Sequence, residues 1–210
     1  LVSKIEKVEA LAAENDIQTF VYITPCKVRY YEEELPWVDK VMAPERTDGN
    51  YERLMEALRA TDLNYFDSID YIDTHRQEFD ARVPLYYRTS VHWSTYVGNL
   101  AGAALGDYIE EKSGYNLPEL SITARPCEEP VYPDSDAFNT FNLLQKSYDQ
   151  YYEPVIEVTD SATDAPGMIC RGGSFMGQSL SAIIRNNYFG KNVYMENDQI
   201  FTDAFGDLEI

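Results

Sequence analysis

The sequence predicts a three-layer α/β domain with a mostly parallel central sheet. Two observations carry that expectation. Apolar, β-branched runs of strand length alternate with segments of helical periodicity along most of the chain, and such alternation is the mark of helices layered on a parallel sheet. The chain has 210 residues, 44% of them apolar, which is enough to bury a substantial core without disulfide staples. The expected organisation is a single domain over residues 1–210, interrupted by a loop-rich insertion at 117–150.

Taken in order, the opening reads as a helix, with Ser3 and Glu6 at capping-box spacing and Val2, Ile5, Val8, Leu11 and Ala12 on one face. Ile17 to Thr24 is an apolar run closed by Pro25, the pattern of a buried strand. A helix from Asn50 to Arg59 follows, carrying Leu54, Met55 and Leu58, and it leads into a short strand at Asn64 to Phe66. Val83 to Arg88 reads as a strand, and Ser94 as the cap of a helix from Thr95 to Lys112 that Gly114 ends. Four prolines between Leu117 and Pro133 suggest an extended loop, and Asp134 to Tyr152 is ambiguous. Strands are expected at Tyr152 to Thr159 and Pro166 to Arg171, a helix at Gln178 to Asn186, and one last strand at Asn192 to Met195.

Charge narrows the function. Lys and Arg number 17 against 36 Asp and Glu, a net charge of −19, and no basic run offsets it. Phosphate backbones and anionic membranes are repelled by such a surface, so nucleic acid is excluded as a partner. Cys26, Cys127 and Cys170 are too widely spaced for a CxxC site, and read as three buried thiols or as one disulfide plus a free thiol. Only His75 and His92 offer imidazole, with no ligand-spaced carboxylates beside them, so neither a metal nor any other cofactor is called for. No apolar stretch approaches the ~20 residues that cross a bilayer. The chain begins at Leu1 without methionine and reads as a fragment or a processed form.

Two segments carry chemistry. Arg171 to Gly177, with Gly172, Gly173, Ser174 and Phe175 at its centre, joins a predicted strand to a predicted helix. A serine there sits at the carboxyl edge of the sheet and at a helix N-terminus, where main-chain amides stabilise an oxyanion. The plain alternative is a turn with a helix-capping serine. Tyr86 to Ser94, followed by Gly98, contains His92 in a loop leaving a predicted strand. A serine nucleophile needs such a base within hydrogen-bond reach. Against that stands a histidine merely packed beside Trp93.

Together these segments resemble the SGNH-hydrolase-like O-acetyltransferases of alginate and other exopolysaccharides, the DHHW family. That family has a D-x-H-W segment preceded by tyrosines and followed by glycine, and a distant G-D-S-F turn, to which Tyr86–Gly98 and Gly172–Phe175 correspond. Pro25, Cys26, Lys27 and Val28, with Tyr30, also resemble the P-x-K segment after its first core strand. The resemblance spans roughly residues 1–190.

The resemblance implies that Ser174 is the acetyl-carrying nucleophile, His92 its general base and position 90 the acid orienting the imidazole. Position 90 is Ser90, however, and position 173 is Gly173 where the family has aspartate. Three readings of the missing acid stand open: a carboxylate from elsewhere, with Asp73 and Asp80 near in sequence; a slow Ser-His dyad; or a catalytically degenerate glycan-binding or scaffold subunit. Gly173 is the expected oxyanion donor, its glycines permitting a turn that a side chain would obstruct. Trp93 and Tyr87 are expected to stack on sugar, and Lys27 either to reach a substrate anion or to lie solvated. The acidic surface favours a neutral or amino-sugar glycan over a polyanion. The family further implies an extracytoplasmic setting, periplasmic, cell-surface or secreted, and a membrane-bound acyltransferase as acetyl source.

Overall fold

The computed structural model describes residues 1–38, 49–141, 147, 149–158, 165–185, 188–196 and 199–202. They pack as two compact units, one of Leu1–Ile23 and Val28–Asp67, the other of Thr24–Lys27 and Ser68–Ile210.

The first unit holds helix α1 (Val2–Ala13), strand β1 (Phe20–Ile23), helix α3 (Asn50–Arg59) and strand β2 (Asn64–Asp67), with a short helix α2 (Lys27–Tyr30) at its boundary. Strands β1 and β2 pair in parallel from Phe20↔Asn64 to Ile23↔Asp67, and the Tyr22 and Phe66 rings meet across the ladder. Helix α3 buries Met55 and Leu58, as its apolar spacing predicts. Ser3 does not cap α1. The amides of Lys4 and Ile5 bond to the Leu1 carbonyl, so the helix starts before Ser3 can act as its cap.

The second unit contains α4 (Ser68–His75), α5 (Thr95–Ser113), β3 (Leu120–Cys127), α6 (Asp136–Thr140), β4 (Tyr151–Val158), β5 (Gly167–Gly172), α7 (Gly177–Arg185), β6 (Lys191–Glu196) and β7 (Gln199–Thr202). Helix α5 is bounded as the sequence dictates: Ser94 Oγ accepts from the Val97 amide, and Gly114 closes the helix in the left-handed region at φ 75°.

Three expectations need correction. Segment 83–88 forms turns rather than a strand. Leu85, Tyr86 and Tyr87 are buried in succession instead of alternating, and the Tyr87 carbonyl is taken up by the Lys27 ammonium, so no ladder can form through it. The stretch expected as loop-rich carries β3, which pairs antiparallel with β4 from Leu120↔Val158 to Cys127↔Tyr151. Pro126 and Pro154 fit because, among the described residues, this sheet has two strands, each with one edge where a missing N–H leaves no ladder bond unmade. Finally, the described strands do not form a mostly parallel central sheet. Strands β5 and β6 run parallel, but β6 and β7 are antiparallel, because the link between Glu196 and Gln199 is far shorter than a parallel crossover requires.

Helices α5 and α7 pack face to face through glycine. A methyl group at Gly98 would strike Gln178, one at Gly102 the Ser179 main chain, and one at Gly106 the Tyr188 hydroxyl. Asn99, wholly buried, cross-links the pair by donating to the Gln178 carbonyl at 3.2 Å and to Ser181 Oγ at 3.1 Å. Gly102→Ala is therefore expected to destabilise the protein by about 1–3 kcal/mol, the usual effect of overpacking against rigid backbone, measurable as a lowered melting temperature. An unchanged melting temperature would show that the two helices can separate freely.

Candidate active site

The loop before α5 and the turn before α7 meet because their helices do. Ser174 lies in a single 3₁₀ turn, Ser174–Met176, between β5 and α7, with the Met176 amide bonded to the Gly173 carbonyl at 3.1 Å. Its hydroxyl is 2.7 Å from His92 Nε2. The other ring nitrogen, Nδ1, is 2.7 Å from Asp136 Oδ2. A hydroxyl, an imidazole and a carboxylate thus stand in a hydrogen-bonded line, Ser174 half-buried and the His92 ring nearly covered, with the Phe175 ring packed against the imidazole at 4.5 Å.

Asp136 opens α6, inside the segment whose structure the sequence leaves ambiguous. Its second oxygen, Oδ1, accepts from the Val91 amide at 3.1 Å and from the Ala137 amide at 2.8 Å, which holds the carboxylate in place beside the imidazole. Burial pushes this carboxyl up, but the Ser90 hydroxyl, the His92 ring and the Val91 amide outweigh it and hold it below the ordinary carboxylate range. It stays ionised, ready to stabilise an imidazolium.

The acid therefore comes from neither position 90 nor the two aspartates near His92 in sequence. Ser90 Oγ accepts from the His92 amide at 2.9 Å and donates to the His92 carbonyl at 3.1 Å, bracing the histidine's main chain rather than its ring. Asp80 is gripped by the Arg82 guanidinium, which lowers its carboxyl to about 2, and Asp73 is exposed on α4.

The expected sugar contacts also change. Trp93 is wholly buried, its indole N–H donating to the Phe175 carbonyl at 2.8 Å and to Gln178 Oε1 at 3.0 Å. It ties the histidine loop to the serine turn and shows no face to a ligand. Tyr87 is equally buried, tilted against Tyr151, with its hydroxyl accepting from the Tyr152 amide. Lys27 donates to the Tyr87 and Ser90 carbonyls at 2.7 Å each, so it holds the loop from beneath instead of reaching outward. Gly173 is exposed, and a side chain there would meet nothing within 4 Å, so sterics do not demand glycine. The three cysteines are unpaired, and Cys26 is exposed rather than buried.

A second acid supports the first. Asp134 is fully buried, and its Oδ1 accepts from the Thr95 amide at 2.8 Å and the Thr95 hydroxyl at 2.9 Å, pinning the 134–136 segment to the start of α5. Thr89 binds the same segment: its hydroxyl donates to the Asp134 carbonyl at 3.0 Å and its carbonyl accepts from the Phe138 amide at 3.0 Å. Burial raises the Asp134 carboxyl to about 7, against the lowering by Thr95, with the neighbouring Asp136 charge adding to the rise.

A family model described as an SGNH hydrolase-like domain, acetyltransferase AlgX, matches residues 2–184. Among solved structures, the O-acetyltransferase domain of Pseudomonas putida AlgJ superposes with a TM-score of 0.61 at 19% identity, over 92% of this chain and 68% of that one. Bacillus cereus PatB1 gives 0.54 at 10% identity, over 91% of this chain and 78% of its own. The same protein carrying a sulfonyl adduct gives 0.59 at 13%, over 91% and 75%. None of the curated protein sequences matches. At these identities the structural likeness establishes an SGNH hydrolase-like fold.

The raised Asp134 carboxyl has a stability consequence with a definite sign. The folded state holds its proton between an unfolded value near 3.8 and about 7, so its contribution is complete below pH 3.8 and is lost as pH rises to about 7. Urea unfolding at several pH values should show Asp134→Asn lacking this loss, a difference in slope amounting to a few kcal/mol at most. Parallel pH profiles for the two proteins would refute it.

Proposed function

Since the chain belongs to the family of SGNH hydrolase-like acetyltransferase domains represented by AlgX, we propose that it is a polysaccharide O-acetyltransferase, acting as an acetylesterase when water replaces the acceptor. The observation that carries this reading is the 2.7 Å contact of Ser174 with His92, itself 2.7 Å from Asp136.

In this reading His92 Nε2 removes the Ser174 proton as Oγ attacks the acetyl carbonyl. Asp136 stabilises the imidazolium that results, and His92 returns the proton to the departing alcohol. In this reading the oxyanion is met by the main-chain amide of Gly173 in the turn, while that of Met176 is spent on the Gly173 carbonyl. A sugar hydroxyl then attacks acetyl-Ser174, giving its proton to His92, and the serine is regenerated. An extracytoplasmic site of action and a membrane-bound acyltransferase as acetyl source complete the proposal.

The rival reading, a degenerate glycan-binding or scaffold subunit, rests on Ser90 and Gly173 standing where the family has acids. Asp136 removes its main support, because the carboxylate lost at position 90 is replaced at the same ring nitrogen.

Turnover of 4-nitrophenyl acetate should vanish in Ser174→Ala, and mass spectrometry should find an acetyl group on Ser174 in the parent protein. Equal rates in parent and variant, with no adduct, would end the enzyme reading. Asp136→Ala should lower the rate about 10³- to 10⁴-fold, the scale of a lost triad acid. Ser90→Asp alone should give little gain or a loss, since Nδ1 is already engaged and a second anion would crowd the first. In the Asp136→Ala background, the same change should restore part of the activity. A large gain from Ser90→Asp alone would mean that Asp136 is not the working acid.

A further inference from the structure

We infer that Lys27 is a positioning residue for Asp136, setting the acid against His92 through the peptide unit that joins Ser90 to Val91. Its effect on the rate rests on the acetyltransferase reading, though the linkage itself does not.

Lys27 opens α2, and the stretch Thr24–Lys27 packs with the second unit. Its ammonium donates to the Tyr87 and Ser90 carbonyls at 2.7 Å each. The plain role of such a lysine is to satisfy carbonyls in a turn that is closed to water. That account covers Tyr87, whose carbonyl also accepts from the Ser90 amide at 3.2 Å. It leaves something over at Ser90, because the Ser90 carbonyl and the Val91 N–H belong to one amide, and that N–H donates to Asp136 Oδ1 at 3.1 Å. Asp136 Oδ2 is 2.7 Å from His92 Nδ1, and His92 Nε2 is 2.7 Å from the Ser174 hydroxyl. A continuous line of polar contacts therefore runs from the Lys27 ammonium to the nucleophile.

Two properties of an amide let Lys27 act across it. The unit is planar, so holding its oxygen fixes the direction in which its N–H points. It is also polarisable: a cation on the oxygen draws electron density from the nitrogen and makes the N–H a stronger donor, by roughly 10–30% per bond in a chain of this kind. Asp136 depends on such a donor more than an acid at position 90 would. An acid there stands two residues from the histidine and shares its main chain, whereas Asp136 arrives from 44 positions away. Thr89 ties the two segments through the Asp134 and Phe138 main chain, and the Ala137 amide belongs to the helix that Asp136 itself opens. Among the described residues, the Val91 amide is the main-chain group of the histidine loop that reaches the carboxylate itself.

The test compares Lys27→Met, which keeps most of the side-chain length without its donors, with Lys27→Arg, which keeps the charge. On 4-nitrophenyl acetate, Lys27→Met should lower kcat about 10-fold with KM little changed, inside the loss of up to about 10²-fold that a misplacement of about 1 Å can cause, and Lys27→Arg should recover most of it. In the Asp136→Ala background, Lys27→Met should cost less than about 2-fold, because the carboxylate through which it acts is gone. NMR should show the Val91 amide proton moving upfield in Lys27→Met, as its hydrogen bond weakens, and staying near its parent position in Lys27→Arg. Melting curves should show the variants folded; where Lys27→Met is not, Lys27→Gln carries the same comparisons with a neutral donor. An unmoved Val91 proton, or a loss from Lys27→Met that is as large without Asp136 as with it, would overturn the inference and leave the lysine as a plain support of the turn. The transferase reading is scored apart: a parent protein with no turnover and no acetyl group on Ser174 would end it, while the Val91 proton would still decide the link between Lys27 and Asp136.

Discussion

The close approach of α5 to α7 is the constraint on which the site depends. His92 and Ser174 are separated by 82 positions and lie on loops, yet each loop ends at the N-terminus of one of these helices. A hydrogen bond of 2.7 Å between loop residues survives only if the helices behind them are held to comparable precision. Gly98 and Gly102 allow this by removing side chains where the Gln178 and Ser179 backbone passes. Trp93 then joins the loops directly, its indole bridging to Phe175 and Gln178. The largest buried side chain of the unit thus works as a spacer between the His92 loop and the Ser174 turn.

Within that frame the acid was free to move. What a general-base histidine requires is a carboxylate on Nδ1, to set the tautomer and stabilise the charged ring; where the carboxylate enters in the sequence is immaterial. Asp136 satisfies the requirement from a different segment, oriented by the Val91 amide and its own helix N-terminus. Ser90 meanwhile holds the main chain of the histidine it was expected to orient. The exchange keeps the site's charge while removing an anion from the interior of the loop, where Lys27 already satisfies the carbonyls.

Much of this was legible in the sequence, for identifiable reasons. The boundaries of α3, α5 and α7 follow from helical spacing, and in α5 from a capping serine and a closing glycine. Ser174 and His92 could be singled out because each sits where a predicted element changes type. The strand expected at 83–88 was lost to a tertiary effect, a lysine from a distant segment capturing the Tyr87 carbonyl. The β3–β4 ladder was hidden by prolines that are harmless only at an edge, which composition cannot reveal. Asp136 was invisible for a similar reason. One signal was available: an Asp-Ser-Asp run, with Ala and Phe following, has the look of a helix start within a stretch otherwise unassigned. Trp93, Tyr87 and Lys27 were misjudged because proximity in sequence to His92 does not distinguish a side chain that faces outward from one that braces the loop.

Asp134 and Asp136 show how the same residue type, two positions apart, takes opposite parts. Asp136 receives hydrogen bonds from the Val91 and Ala137 amides and stands 2.7 Å from the imidazole, and its anion is favoured despite partial burial. Asp134 is buried more completely, has only Thr95 as donor, and leaves one oxygen without a hydrogen-bond partner among the described residues, so its proton is retained to about pH 7. Each charge bears on the other: an ionised Asp136 makes ionising Asp134 costlier. Pairs of carboxyl groups driven apart in this way mark sites where one must be charged and its neighbour must not. Here the member with the lowered pKa faces the imidazole, and the member with the raised pKa ties the segment to α5. The division of labour follows from the number of donors each carboxyl can reach.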